Sequence, residues 1–181
     1  MNLPATRATL AGALALLSAM AFAQAPCHPT PTTFHLAAGP LAQSLTTLGA
    51  QAGCPVQYDK KLVQSFRAPA VQGQLPAADA LVRLVQGTGL EAHSDASGLS
   101  VSQADQQAIG RRAATLQARL GQAAKAQTLA QPIATTLYGE LAEVRASATT
   151  LARQQGFISA AEKASYQRTL AKAEHLLATS N

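Results

Sequence analysis

Phe34-His35-Leu36-Ala37-Ala38-Gly39-Pro40-Leu41 opens the stretch that decides how this chain folds, because a short extended run passes there into a helix. Proline is tolerated at a first helical position, where its missing N–H would have no partner. Leu41, Leu45, Leu48 and Ala52 then recur at helical spacing as a buried stripe. Gly53 stops the helix, and Val56 and Tyr58 alternate with polar neighbours as one face of a strand. The unit is strand, helix, strand.

The same pattern returns 36 residues later, with identities at Pro40/Pro76, Ala42/Ala78, Leu45/Leu81, Leu48/Leu84, Gly53/Gly89 and Asp59/Asp95. Self-similarity at one offset marks a supersecondary unit used twice. Ala70 to Gln74 is the second incoming strand, Pro76 opens a helix burying Ala80, Leu81, Leu84 and Val85, and Gly87 to Gly89 end it. Leu90 and Ala92 begin the next strand. Ser94-Asp95-Ala96-Ser97-Gly98 is a turn cluster, beyond which Leu99 and Val101 alternate as a closing strand. The expected class is α+β: two β-α-β units plus a closing strand over residues 34–103.

These residues also carry a resemblance. The opening run, followed by Leu45, Leu48, Gly53, Val56-Gln57-Tyr58-Asp59, Pro69-Ala70-Val71-Gln72-Gly73, Ala80-Leu81, Leu84 and Gly87-Thr88-Gly89-Leu90, resembles the short N-terminal domain shared by secretins and TonB-dependent signal transducers. The resemblance covers about 70 of the 181 residues. It implies a cofactor-free periplasmic interaction module. In transducers such a domain engages the periplasmic part of an anti-sigma regulator, and in secretins it meets other secretion components. Partners of that kind are expected here: an anti-sigma regulator, a TonB-dependent receptor or a secretin component, with self-association left open. The chain departs from the family's usual setting, because helices follow the domain.

From Ala104 onward alanine, glutamine, leucine and arginine dominate, a composition of high helix propensity. Three helices are expected in residues 104–181. The first runs from about Asp105 to Ala130 with Ile109, Leu116 and Leu120 on one face. In the second, Ile133, Leu137, Leu141, Val144, Ala148 and Leu151 form an amphipathic stripe ending near Gly156. Ser159 with Glu162 three residues on is a capping box, announcing a third helix that buries Tyr166, Leu170, Ala173 and Leu177. Short connections make the last two an antiparallel hairpin.

The chain's beginning reads as a secretory signal peptide over residues 1–23: Arg7, an apolar run from Leu10 to Met20, and Ala21-Phe22-Ala23 as cleavage site. A tail, residues 24–33, follows. Localisation is expected to be periplasmic, with peripheral association to the outer membrane open. In that oxidising compartment Cys27 and Cys54, the two cysteines present, are expected to pair. The chain-entropy model assigns such a loop, about 28 residues, roughly 3 to 4 kcal/mol.

Four basic and four acidic side chains cancel within residues 34–103, whereas nine basic and five acidic ones leave residues 104–181 positive. Nucleic acid is not expected as a partner of an exported chain. Anionic lipid at a basic helix face of Arg111, Arg112, Arg119 and Lys125 is one alternative function, and a structural or chaperone-like role for the helices is another. No catalytic role is expected: His28, His35, His93 and His175 lack metal or acid-base spacing, and no serine sits in a nucleophile motif. No cofactor or metal is expected either. The preferred mechanism is strand addition at an open sheet edge, the candidates being Val71, Gln72, Gly73 and Gln74, or Leu99, Ser100, Val101 and Ser102.

Overall fold

The computed structural model describes residues 30–180. The signal-peptide reading, Cys27 and His28 lie outside the described residues. The elements are β1 (Thr32–Leu36), β2 (Gly39–Pro40), α1 (Leu41–Ala52), β3 (Val56–Tyr58), α2 (Lys60–Val63), β4 (Arg67–Ala68), β5 (Val71–Leu75), α3 (Ala77–Val85), β6 (Glu91–Asp95), β7 (Gly98–Ser102), α4 (Ala104–Lys125), α5 (Gln131–Gln155) and α6 (Ala160–Thr179). The fold is α+β, as expected, with two β-α-β repeats and a closing strand before three helices.

The repeat builds its sheets from corresponding parts. The incoming strands β1 and β5 pair with each other, antiparallel, with Phe34 opposite Gly73 and His35 opposite Gln72. The outgoing strands β3 and β6 instead flank β7, parallel and antiparallel respectively, in the order β3-β7-β6. Phe34, Leu36, Leu41, Leu45, Leu48, Leu81, Leu84, Leu90 and Leu99 are almost wholly buried in one core between these sheets and helices. Removing such side chains from water is the main stabilising term, roughly 1.5 to 3 kcal/mol for each. Ala52 is partly exposed at the edge of this core. Pro40 is the N-cap of α1 rather than its first residue, and the Leu41 N–H is satisfied by the Phe66 carbonyl at 2.9 Å. The short β2–β4 pair and α2 were not anticipated. Asp59 starts α2 by accepting the Lys61 N–H at 2.8 Å.

In the second half, α4 ends at Lys125, short of the expected Ala130. The chain turns through Gln127, whose φ is 59°, before Pro132 enters the first turn of α5. The bundle cores are Ala113, Leu116, Leu120, Leu137, Leu141, Leu170, Ala173 and Leu177 at one end. Ile109, Val144, Ala148, Ile158 and Tyr166 fill the other. Ile133 is a correction to the expected stripe: it is 45% exposed, and Ala134 takes the inward position at the start of α5. The anticipated capping box is present, Ser159 Oγ accepting the Glu162 N–H and Glu162 accepting the Ser159 N–H at 2.7 Å. α5 and α6 run antiparallel, tied by Lys172–Glu140 and by Ser147–Tyr166 at 2.7 Å.

The two halves meet through backbone hydrogen bonds. Gly156, in the α5–α6 turn, accepts the Ala92 N–H of β6 at 2.7 Å, and the Arg153 carbonyl accepts the Gly87 N–H at 2.8 Å. Gln86 adds a side-chain bond to the Gln154 carbonyl at 2.8 Å. Gly156 adopts φ +78°, and a Cβ there would come within 3.1 Å of the Val82 carbonyl oxygen and of Val85 Cγ2.

Candidate interaction edge and the capping node beside it

A strand edge can accept another strand only where its outward N–H and C=O groups are free. β7 fails that condition, since β3 lies on one side of it and β6 on the other. Leu99, Ser100, Val101 and Ser102 are therefore corrected: as a central strand they cannot form a docking edge. Alternation along the sequence reports which face a residue occupies, not which strands become neighbours.

On the outer side of β6 the Ala92 N–H is already engaged, by Gly156. On β1 a side chain of α1 engages the outer side at His35: the His35 N–H donates to Gln51 Oε1 at 3.1 Å, and Gln51 Nε2 donates to the His35 carbonyl at 3.4 Å. β3 has only three residues. β5, also five residues long, has no strand on its outer side and no bond from another element to the backbone of Gln72 or Gln74 among the described residues.

Its hydrogen-bonding phase follows from β1. In an antiparallel ladder the residue pairs alternate between exchanging both backbone bonds and exchanging none. Both polar backbone atoms of His35 point to Gln51, so the His35–Gln72 pair is of the second kind. Gln72 and, two residues on, Gln74 thus turn their N–H and C=O groups away from β1. Gln72, Gly73 and Gln74 are exposed, whereas Val71 and Leu75 are buried on the core side.

A second cluster was not legible in the sequence. Glu91 is wholly buried, and its carboxylate accepts the Asp105 N–H at 3.0 Å and the Gln106 N–H at 2.8 Å. Those donors lie in the first turn of α4, whose own N-cap, Gln103, makes no side-chain cap bond. Ser102 Oγ accepts the preceding donor, Ala104 N–H, at 3.1 Å. A carboxylate from β6 thus caps a helix of the other half, where the positive end of the helix dipole favours negative charge.

His93 Nε2 lies 3.0 Å from Ser102 Oγ and 3.5 Å from Glu91 Oε2. The hydrogen bond to Glu91 raises the His93 pKa above its ordinary value. Burial and the Lys163 ammonium oppose the rise, while the charges of Asp105 and Glu91 support it. Lys163 Nζ reaches from α6 to Asp105 Oδ2 at 2.9 Å. Ligand atoms of Glu91, His93 and Asp105 all lie within 4.8 Å of one another. Both Glu91 oxygens, Asp105 Oδ2 and His93 Nε2 already have protein partners, so the arrangement serves as a helix cap.

The basic positions of α4 separate. Arg112 lies against α6 and binds Glu174 through two bonds of 2.8 Å, with a further bond to Gln167. That guanidinium holds the Glu174 carboxyl below its ordinary range. Arg111, Arg119 and Lys125 are exposed. Arg112 is accordingly removed from the expected basic face, because its charge is neutralised within the bundle.

No family model matches the chain. Over 101 residues it is 34% identical to the ferric-pyoverdine M114 receptor PbuA of Pseudomonas sp. (strain M114), a match covering 54% of this chain and 12% of the receptor. Among solved structures it is similar to the ferripyoverdine receptor of the Pseudomonas aeruginosa outer membrane bound to ferripyoverdine. That likeness has 26% identity and a TM-score of 0.38, covering 40% of this chain and 10% of the other. The same receptor bound to heterologous pyoverdines gives the same values. The chain therefore spans a small share of the proteins it matches, and it is homologous to the N-terminal region of a TonB-dependent ferric-pyoverdine receptor.

Proposed function

We propose that this chain is a non-catalytic periplasmic interaction module that takes an extended segment of an envelope protein onto the outer edge of β5. The observation that carries the reading is the edge itself. β5 presents the outward backbone groups of Gln72 and Gln74, while His35 of β1 and the Ala92 N–H of β6 are already engaged and β7 lies between two strands. Main-chain pairing of this kind needs neither cofactor nor catalytic side chain. The likeness to a receptor's N-terminal region supports a signalling or docking role. An anti-sigma regulator, a TonB-dependent receptor or a secretin component is the class of partner proposed. The short domain of the secretin and TonB type remains the family reading for residues 34–103, and a Cys27–Cys54 bond is proposed to tie the tail to it.

The test is photocrosslinking in native cells, with the reactive group at Gln72 and, as control, at Ser100 of the central strand. Gln72 is expected to capture an envelope protein and Ser100 is not. Gln74→Pro deletes an outward N–H without touching the β1 ladder, so it should abolish capture while leaving the circular dichroism unchanged. Equal capture at both positions, or capture that survives Gln74→Pro, would overturn the reading.

A further inference from the structure

We propose that the β5 edge is self-complementary and that a second copy of this chain occupies it, joining two β1–β5 sheets into one of four strands. The inference rests on the reading of β5 as a docking edge and adds an occupant to it.

Its basis is symmetry. Gln72-Gly73-Gln74 reads the same in both directions about Gly73. A second β5 laid antiparallel through a two-fold axis at Gly73 places Gln72 opposite Gln74 of the other copy, and Gln74 opposite its Gln72. These are the residues whose backbone groups point outward, as argued from the engagement of His35 by Gln51. The two pairs therefore exchange their N–H and C=O groups completely. The central Gly73 pair falls in the non-bonded phase, where opposed Cα atoms approach to about 4.5 Å. Glycine at φ +114°, with open space where a Cβ would stand, puts no side chain in the way.

Chemistry agrees with the register. A glutamine amide is both donor and acceptor, so facing Gln side chains can bond across the axis. No charged residue lies between Ala68 and Ala78, so no like charges meet when the copies approach. Edge strands that avoid self-pairing carry lysine, proline or a bulge. β5 has none within Val71–Leu75, and Pro69 and Pro76 limit the exposed window to the strand itself. An interface closed by one such strand pair is small, so a weak dimer that forms with rising concentration is expected, with isologous geometry.

Sedimentation velocity of the purified mature protein, from micromolar to near-millimolar concentration, tests this. The parent should shift from monomer to dimer. Gln72→Lys with Gln74→Lys in one chain sets lysine against lysine twice and should weaken association at least tenfold at low salt. Gln72→Lys with Gln74→Glu sets lysine against glutamate in the same register and should restore it. Circular dichroism on both double variants checks that the fold is intact. A parent that stays monomeric throughout, or two double variants that associate alike, overturns self-pairing. Capture of an envelope protein at Gln72 by a monomeric parent would leave the docking reading standing, so the two ideas fail separately.

Discussion

The Glu91 carboxylate of β6 accepts the Gln106 N–H of α4 across the boundary between the halves, at 2.8 Å. Because Glu91 is wholly buried and also holds the Asp105 N–H, its removal leaves two helix donors without partners. Glu91→Ala should cost about 2 kcal/mol, and Glu91→Gln about half as much because one amide oxygen still accepts. Urea denaturation followed by circular dichroism reads both. A loss under about 0.5 kcal/mol for the alanine variant would mean water replaces the cap.

His93 makes that cap sensitive to pH. Its folded pKa is raised above 6.5, chiefly by the hydrogen bond to Glu91. Glu91 faces it from its own strand, Asp105 from α4 and Lys163 from α6. A raised folded pKa means that the native state holds the proton more tightly than the unfolded chain. The stabilisation is thus complete below about pH 6.5 and lost as pH rises through the folded value. Melting temperatures measured from about pH 5.5 to 8.5 should fall over that window, and His93→Asn should flatten the slope. An unchanged slope in the variant would assign the effect to another group.

At Gly156 a side chain would be strained twice, by the positive φ and by the 3.1 Å approach to Val82 and Val85. Gly156→Ala is expected to cost about 2 kcal/mol. Its distinguishing effect is on exchange of the Ala92 amide, which donates to Gly156 and should lose protection. A destabilised variant with Ala92 still protected would place the strain within the helices alone.

The Arg112–Glu174 pair is bidentate but more than a third exposed on both sides. Arg112→Ala should therefore cost only about 0.5 kcal/mol, and added salt should shrink the difference. Thermal melts of both proteins at two salt concentrations check this.

The oxidised protein should take up no thiol reagent until it is reduced, the outcome expected of the proposed bond between Cys27 and Cys54. Reduction should lower stability by roughly 3 kcal/mol. Labelling before reduction, read by mass spectrometry, would remove the disulfide from the account.

Features that depend on neighbours in sequence were legible without a structure. Ser159 and Glu162 are three residues apart, so their reciprocal cap is written locally. Leu137, Leu141, Val144 and Ala148 declare one helix face by spacing alone. Glu91 looked like one more charge in a neutral half, because its donors lie 14 and 15 residues away. A clue was present in Gln103, a weak capping residue at the start of a long helix, whose first donors had to be met from elsewhere. The place of β7 between β3 and β6 escaped for the same reason. Strand order is decided by crossing connections, and the alternation of Leu99 and Val101 is the same at a centre as at an edge.

The turn at Gly156 bears on how the molecule comes apart. A sheet edge that borrows its last acceptor from a helical hairpin cannot melt independently of that hairpin, and a helix capped by a strand's carboxylate cannot persist once the strand is gone. Cutting the chain after Gln103 would leave Glu91 without its donors and Ala92 without its acceptor. The repeat and the bundle should behave as one calorimetric unit, with a single unfolding transition.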